Sequence, residues 1–252
     1  MVNKISRSTL LANIIPVKVL NQNGSGWSSV IAAGINYVAD LKAGPLAKHP
    51  VVINMSLGGP VLDAMEQEAI DDAIAKGVII VASAGNSGTD GMGYPGAYAP
   101  VISVAASGWV DEGKYASWWR NYDVPDPTDP ADFFITDFSS RAIIIDGIEQ
   151  DLDVVAPGSA VVGPYKANSG NRFSYYYLSG TSMASPHVAG IVALMAQKNP
   201  ALKATEAEQI LEDTAIDMAP GCRIFVGSTA ADCWDTNATG SGLATADAAL
   251  AD

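Results

Sequence analysis

Gly180-Thr-Ser182-Met-Ala-Ser-Pro-His187-Val-Ala-Gly190 decides the fold, because this run places one serine on a glycine-led turn where a helix is predicted to begin. The first N–H groups of a helix have no intrahelical acceptors, and the helix dipole makes this end partly positive. An oxyanion that forms when Ser182 attacks a carbonyl carbon would therefore find hydrogen-bond donors in place. The run predicts that Ser182 is a nucleophile.

The residue two positions after Ser182 separates two classes of serine enzyme. The nucleophile elbow of the α/β-hydrolases reads Gly-x-Ser-x-Gly, and this chain has Ala184 where the second glycine would stand. The elbow is therefore disfavoured. The run instead resembles the serine motif of the subtilisin-like serine proteases, the subtilases, which reads Gly-Thr-Ser-Met-Ala-x-Pro-His-Val-x-Gly.

Further blocks resemble subtilase motifs in the order that this family uses, and they extend the resemblance over nearly the whole chain. They are Val52-Ile-Asn-Met-Ser56-Leu-Gly-Gly59, Val81-Ala-Ser-Ala-Gly-Asn86, Tyr94-Pro-Gly96, Asp153-Val-Val-Ala-Pro-Gly158 and Gly240-Ser-Gly242-Leu243. The resemblance implies an α/β fold of three layers with a mainly parallel sheet, incomplete at its N-terminus. Residues 1–252 would then form one partial peptidase domain, with surface insertions around 107–151.

The roles of the site residues follow from the same resemblance. Ser182 would be the nucleophile, and the side chain of Asn86 would bind the oxyanion together with the backbone N–H of Ser182. The resemblance also implies a specificity pocket for large apolar side chains and a segment that pairs with an extended substrate. The residues implied for these two features are Ser56, Leu57, Gly58, Ala84, Gly85, Gly93, Leu20, Ser25 and Gly26. Trp27, beside that segment, is interpreted as a core residue.

A catalytic base is missing from the pattern. The aspartate and histidine of subtilisins precede the serine along the chain, and neither motif is recognisable before Ser182. One of the two histidines, His187, follows Ser182 by five residues on one helix and would point roughly 140° away from it. His49 precedes a predicted strand whose far end carries the site, which places it on the order of 20 Å away. We expect an absent N-terminal segment to carry both missing residues.

Short apolar runs alternate with amphipathic runs, which predicts parallel strands covered by helices on both faces. The predicted strands are 14–20, 51–56, 78–82 and 101–105. The predicted helices are one after Gly26 with the stripe Val30, Gly34, Val38 and Leu41, one with the stripe Leu62, Met65, Ala69, Ile70, Ala73 and Ile74, and two at 182–197 and 205–214. Ser56 and Asn86 follow strands, so they fall at the carboxyl edge of the sheet, where such folds bind ligands.

Composition limits the partners and the setting. The formal net charge of −13 argues against a nucleic-acid partner, because phosphate binding needs clustered Lys and Arg. No apolar run reaches the ~18 residues of a membrane span, so no membrane partner is expected. Lys4 and Arg7 precede an apolar run, but Pro16 and Lys18 interrupt it and no small-residue cleavage site follows. We expect an extracellular protein whose export signal lies outside this chain.

Cysteines and tryptophans each allow two interpretations. Cys222 and Cys233 flank a loop that a disulfide would stabilise by roughly 2–3 kcal/mol on the chain-entropy model, and the alternative is a pair of free thiols. We favour the bridge, which would suit an extracellular setting. Trp109, Trp118 and Trp119 lie in the least family-like part of the chain, where they form either a rim that recognises substrate or a cluster packed under loops.

The sequence predicts a subtilisin-like serine endopeptidase that cleaves protein or peptide substrates through an acyl-enzyme and is nearly inactive as an isolated chain. An N-terminal fragment with the aspartate and histidine would be its complementing partner. Two alternatives stay open: a noncatalytic peptide-binding protein that keeps the cleft, and an incomplete product without function of its own. No cofactor is evident and no metal ligand is assigned, although the resemblance admits calcium at the carbonyls of Gly96, Tyr98 and Val101.

Overall fold

The computed structural model describes residues 12–112, 124, 126–166, 173–225 and 227–251. Its helices are α1 (Ser28–Ala43), α2 (Ala64–Ala75), α3 (Thr181–Lys198), α4 (Ala204–Thr214), α5 (Thr236–Thr239) and α6 (Ala246–Ala251). Its strands are β1 (Val51–Met55), β2 (Val78–Ser83), β3 (Ile102–Trp109), β4 (Phe133–Ile135), β5 (Ile144–Ile145), β6 (Ile148–Glu149), β7 (Val154–Pro157), β8 (Val161–Lys166), β9 (Phe173–Leu178), β10 (Gly221–Ile224) and β11 (Ala231–Trp234).

The central sheet is mainly parallel. β1 pairs with β2, β2 with β3, and β3 with β7, all in parallel, whereas β4 runs antiparallel to the C-terminal end of β3. Every residue of β2 and β3 is buried, as expected of strands that are covered on both faces. The predicted α/β fold with a mainly parallel sheet is confirmed.

Two layers of helices cover the sheet. Successive side chains of a strand point to opposite faces, and β2 follows this rule. Val78 and Ile80 pack with buried residues of α1 and α2 on one face. Ile79 and Val81 pack with buried residues of α3 and α4 on the other face. Helix α3, which carries Ser182, therefore lies against the same sheet that carries Ser56 and Asn86 on the loops after its strands.

The predicted helices all form, with small shifts of the buried stripes. The helix expected after Gly26 is α1, and the helix expected at 182–197 lies within α3. Val30 and Met65, placed on predicted buried stripes, are both about half exposed. In α1 the buried residues are Ala32, Ile35, Val38 and Ala39, of which only Val38 lies on the predicted stripe. In α2 the predicted residues Ala69, Ile70 and Ala73 are buried.

The predicted strand at 14–20 is wrong. Residues 12–19 belong to no strand in the described part of the chain. The segment lies instead against α1, where Gly34 leaves room for it: a Cβ on Gly34 would lie 3.2 Å from a methyl group of Val17. Ile14 remains 86% exposed. An apolar run indicates a tendency to extend, but a strand also needs a hydrogen-bonding partner.

Cys222 and Cys233 face each other across the hairpin formed by β10 and β11, and they form a disulfide with an S–S distance of 2.06 Å. A second hairpin, β5 and β6, turns at Asp146 and Gly147, both with positive φ, inside the region expected to hold insertions.

Trp109 is buried in β3, which favours packing over a substrate rim for this residue. Trp118 and Trp119 lie outside the described residues. Within the described ranges, none of the helices combines the length and the apolar character that crossing a bilayer requires.

Candidate active site

Gly180 fixes the turn that leads into α3. Its φ of +153° is one that residues with a side chain rarely adopt. Its N–H donates to the Gly158 carbonyl at 2.8 Å, and its own carbonyl accepts from the N–H of Met183 at 2.9 Å. Gly158 permits this close approach, because a Cβ there would lie 2.9 Å from the Gly180 carbonyl oxygen. Ser182 thereby occupies the second position of the helix.

A reciprocal pair of hydrogen bonds joins Ser182 to Ser56, the residue after β1. The hydroxyl of Ser56 donates to the carbonyl of Ser182 at 2.8 Å, and the hydroxyl of Ser182 donates to the carbonyl of Ser56 at 3.3 Å. The Ser182 carbonyl is available because Pro186, four residues later in the helix, has no N–H to donate to it. Pro186 thus leaves the Ser182 carbonyl free to accept the hydrogen bond that joins Ser182 to the residue after β1.

A second contact holds the same helix to β1. The hydroxyl of Ser185 donates to Oδ1 of Asn54 at 2.6 Å, and Nδ2 of Asn54 donates to the Ser56 hydroxyl at 2.9 Å. Sequence reasoning did not single out Asn54 or Ser185, although both lie within the motifs quoted for the fold.

Asn86, on the loop after β2, is oriented by Thr181, the residue before Ser182. Its Oδ1 accepts from the backbone N–H of Thr181 at 2.9 Å and from the Thr181 hydroxyl at 3.0 Å. The Thr181 hydroxyl in turn accepts from the N–H of Gly85 at 3.2 Å. With its oxygen engaged, Asn86 has its Nδ2 left to donate. Sequence reasoning missed Thr181, which is fully buried.

Two N–H groups near the start of α3 are candidates for binding an oxyanion. The N–H groups of Thr181 and Met183 are bonded to Asn86 and Gly180, whereas that of Ser182 has no acceptor among the described residues. The free N–H of Ser182 and Nδ2 of Asn86 are the donors that an oxyanion hole requires.

The expected pocket walls are brought together by backbone hydrogen bonds. Gly59 and Tyr94 exchange two bonds of 2.8 Å, which joins the segment of Ser56, Leu57 and Gly58 to the loop that contains Gly93. The N–H of Gly93 donates to the carbonyl of Ala84 at 2.8 Å. These contacts place Ser56, Leu57, Gly58, Ala84, Gly85 and Gly93 around one region. Small residues are required here, since a Cβ on Gly58 would lie 3.0 Å from the Tyr94 carbonyl oxygen.

Leu20, Ser25 and Gly26 form a separate tight turn. The N–H of Asn21 donates to the carbonyl of Ser25 at 2.8 Å, and a Cβ on Gly26 would lie 2.6 Å from the carbonyl oxygen of Val19. In the described ranges no hydrogen bond joins this turn to the loops around Ser182. Trp27 is 81% exposed, so its interpretation as a core residue is wrong.

In the part of the chain that the structure describes, neither histidine is hydrogen-bonded to Ser182. Nδ1 of the exposed His187 lies 2.8 Å from the carbonyl of Met183 in its own helix. His49 is exposed in the turn before β1, and its N–H donates to the carbonyl of Leu46. Across the described residues, the only bond of the Ser182 hydroxyl is the one to the Ser56 carbonyl.

Three carboxylates meet beside the start of β7, and sequence reasoning did not predict this cluster. Asp151, Asp153 and Glu208 each place an oxygen within 4.8 Å of the others. Asp153 is buried; its Oδ2 accepts from the N–H and hydroxyl of Ser103, and its Oδ1 has no partner in the described part of the chain. Burial raises the pKa of Asp153 to about 8. Burial, with Glu212 and Asp151 nearby, raises the pKa of Glu208 to about 7.

The site combines a serine at a helix N-terminus with an oriented amide side chain on a parallel α/β sheet, an arrangement typical of serine hydrolases. The family model of the subtilases, described as "Subtilase family", matches residues 4–246. The chain belongs to the subtilase family.

Individual relatives give the extent of the similarity. Subtilisin DY of Bacillus licheniformis is 37% identical over 82% of this chain and 62% of its own length. Subtilisin Savinase of Lederbergia lenta is 33% identical over 94% of this chain and 68% of its own length. The structure of sphericase superposes with a TM-score of 0.66 and 33% identity, covering 90% of this chain and 66% of that one. The chain thus spans about two thirds of the length of these relatives.

Proposed function

We propose that this chain carries the nucleophile and the oxyanion hole of a serine endopeptidase. The observation that supports it most is the link from Asn86 to Thr181, because it holds the amide side chain of Asn86 against the residue that precedes Ser182 and leaves Nδ2 free to donate. Protein or peptide chains are the proposed substrates, in line with the family.

The proposed reaction is acyl transfer. The oxygen of Ser182 attacks the peptide carbonyl carbon and forms a C–O bond, while its proton passes to a base and then to the leaving amine as the C–N bond breaks. The acyl-enzyme is hydrolysed by water through the same steps. Nδ2 of Asn86 and the N–H of Ser182 stabilise the oxyanion in both halves of the reaction.

A separate N-terminal segment with an aspartate and a histidine is the proposed source of the base. Neither histidine of this chain faces Ser182. β1 is paired only with β2 in the described residues, so one of its edges has no strand beside it, and the neighbouring segment exposes Ile14 and Trp27. An unpaired edge and exposed apolar side chains favour the addition of another strand. Without such a segment, we expect little activity.

The proposed specificity is for large apolar side chains before the cleaved bond. The walls formed by Ser56–Gly58 and Ala84–Gly85 carry mostly small side chains, which leave room for a large one. Gly93 joins the walls through the carbonyl of Ala84.

Calcium is the proposed structural ion for Asp151, Asp153 and Glu208. Hard cations prefer oxygen ligands, and the buried Oδ1 of Asp153 lacks a partner in the described residues. Bound there, the ion would supply positive charge beside Asp153 and Glu208, whose burial raises their pKa values and favours protonation. We also propose an extracellular setting, which the disulfide between Cys222 and Cys233 supports.

A noncatalytic peptide-binding protein is the second candidate. The hydroxyl of Ser182 donates to a backbone carbonyl rather than to an imidazole, which is the observation that favours it. Such a protein would bind peptides equally well after Ser182→Ala.

Complementation distinguishes the two candidates. The purified chain is mixed with a subtilase N-terminal segment that carries the aspartate and histidine, and cleavage of a chromogenic peptide with phenylalanine before the leaving group is followed. We expect cleavage only in the mixture, and none when the chain carries Ser182→Ala. Peptide binding without cleavage, unchanged by Ser182→Ala, would support the noncatalytic binding protein in place of the enzyme. A mixture that neither cleaves nor binds the peptide would indicate a product without function of its own.

A further inference from the structure

Arg141 is bonded to the disulfide-linked hairpin. Its side chain is only 8% exposed, and its Nη1 donates to the carbonyl of Cys233 at 2.7 Å while its Nη2 donates to the carboxylate of Asp232. Both acceptors belong to β11, in which Cys233 is covalently joined to Cys222 of β10. A planar guanidinium matches two such diverging acceptors, which an ammonium group does not do.

Ser140, the residue before Arg141, forms hydrogen bonds with both neighbours of Asn86. The N–H of Ser140 donates to the carbonyl of Gly85 at 2.9 Å. The hydroxyl of Ser140 accepts from the N–H of Ser87 at 3.0 Å. Asn86 is thus held between two residues that are both bonded to Ser140.

Arg141 itself continues this contact with the loop. Its backbone N–H donates to the carbonyl of Gly88 at 3.0 Å, and the N–H of Gly88 donates to the carbonyl of Phe138 at 3.0 Å. The segment 138–141 therefore runs beside the whole loop from Gly85 to Gly88.

The Asn86 loop needs contacts with another segment to hold its conformation. Gly85 and Gly88 on either side of Asn86 have φ values of +110° and +56°, and glycine has little intrinsic preference among its backbone conformations. An oxyanion donor is effective only when it is held within about 0.5 Å of the productive position. The loop alone does not provide this precision, whereas a segment anchored to a cross-linked hairpin does.

We propose that Arg141 is a positioning residue for the oxyanion donor Asn86. It anchors the segment 138–141 to the hairpin closed by Cys222 and Cys233, and that segment holds the Asn86 loop. Arg141 does not touch substrate; it acts through Asn86. This inference rests on the proposed function, because the position of Asn86 matters to catalysis only if Ser182 reacts.

Hydrogen exchange of the intact chain tests whether the segment 138–141 holds the Asn86 loop, and the measurement does not require enzymatic activity. Arg141→Met removes the donors and keeps the length, and Arg141→Lys keeps the charge. Arg223→Met is the matched control, because Arg223 lies on the same hairpin but stacks at 4.0 Å on Phe134 and donates to the carbonyl of Val110, away from the loop. We expect Arg141→Met to accelerate exchange of the amides at 87, 88 and 140 about tenfold, Arg141→Lys less, and Arg223→Met less than about twofold.

Kinetics of the chain complemented with the N-terminal segment test the catalytic consequence. We expect Arg141→Met to lower kcat about tenfold with KM nearly unchanged, because an oxyanion donor acts mainly in the transition state. In a chain that already carries Asn86→Ala, the same change should lower kcat no further, since its effect passes through Asn86.

Two results would overturn the inference. One is unaltered exchange in the loop after Arg141→Met, and the other is an equal loss of kcat with and without Asn86. If no complemented mixture is active, the proposed function fails, and the exchange rates alone decide whether Arg141 holds the loop.

Discussion

The side-chain oxygen of Asn86 accepts hydrogen bonds from both the backbone N–H and the hydroxyl of Thr181, the residue that precedes Ser182. The amide of Asn86, the proposed donor of the oxyanion hole, is therefore oriented by the helix that carries Ser182. Because both bonds fall on the oxygen, the amide nitrogen stays available for substrate. This relationship is the basis of the first two predictions.

Asn86→Ala should lower kcat of the complemented enzyme by about 10²- to 10³-fold, the loss known for the oxyanion asparagine of subtilisin, a member of the same family. KM should change little. Steady-state kinetics on the chromogenic peptide measure both. Asn199→Ala, at the distant end of α3, is the control that should leave kcat unchanged; a fall of less than about threefold for Asn86→Ala would remove Asn86 from the oxyanion hole.

Thr181→Val keeps the shape of the side chain but removes the hydroxyl that bonds to Asn86 and Gly85. We expect kcat to fall about tenfold, because the side-chain oxygen of Asn86 and the N–H of Gly85 each lose a hydrogen-bond partner. Thr181→Ser retains the hydroxyl and should recover most of the activity. Equal kinetics for the valine and serine variants would show that the hydroxyl does not orient Asn86.

Gly180→Ala should destabilise the fold by about 1–3 kcal/mol, because a φ of +153° is strained for a residue with a side chain. The free energy of unfolding in urea measures this loss. Gly190→Ala is the matched control in the same helix, where an added Cβ meets open space and should stabilise by up to about 1 kcal/mol. Similar stabilities for the two variants would contradict the strained turn.

Asp153→Asn should flatten the dependence of stability on pH when a chelator is present. The pKa of folded Asp153 is about 8, above the ordinary value of 3.8, so the folded state keeps a proton that the unfolded state releases. This contribution is complete below pH 3.8 and is lost as the pH rises through about 8. We expect the variant to gain stability relative to the parent between about pH 5 and about pH 9 in urea unfolding. Parallel stability curves for the parent and the variant would show that folded Asp153 stays ionised over this pH range.

Calcium should raise the unfolding temperature of the chain if it binds the folded cluster of Asp151, Asp153 and Glu208, as we propose. Differential scanning calorimetry with and without millimolar calcium measures the shift. Glu208→Gln removes one ligand and should abolish most of it, whereas Glu206→Gln, on the exposed side of the same helix, should preserve it. A shift that is the same in both variants would place the ion elsewhere.

Much of the scaffold could be predicted from the sequence because its periodicities are local. The apolar run 78–82 and the stripe around Ile70 determine a strand and a helix without help from distant residues. The segment 14–20 has the same apolar character but lies beside α1 without a strand partner in the described residues. Strand pairing is a long-range property, so this failure could not be foreseen from composition.

Site residues that lie within recognisable motifs could be predicted from the sequence. Residues that join the site only through long-range contacts could not. Ser182 and Asn86 stand in recognisable runs, and the structure places them on either side of Thr181. Arg141 and Glu208 gave no signal, because each acquires its role only through residues far away in the chain, Asp232 and Asp153 respectively. Such contacts depend on the folded topology rather than on local spacing.

Labelling by a fluorophosphonate probe, mapped by mass spectrometry, tests the central claim most directly, because the probe reacts only with an activated serine. We predict that Ser182 of the isolated chain stays unlabelled and becomes labelled when the N-terminal segment with the aspartate and histidine is added. Labelling of Ser182 in the isolated chain would contradict the account by showing that a base is already present. A chain that stays unlabelled with the segment bound would contradict the proposed role of Ser182 as a nucleophile.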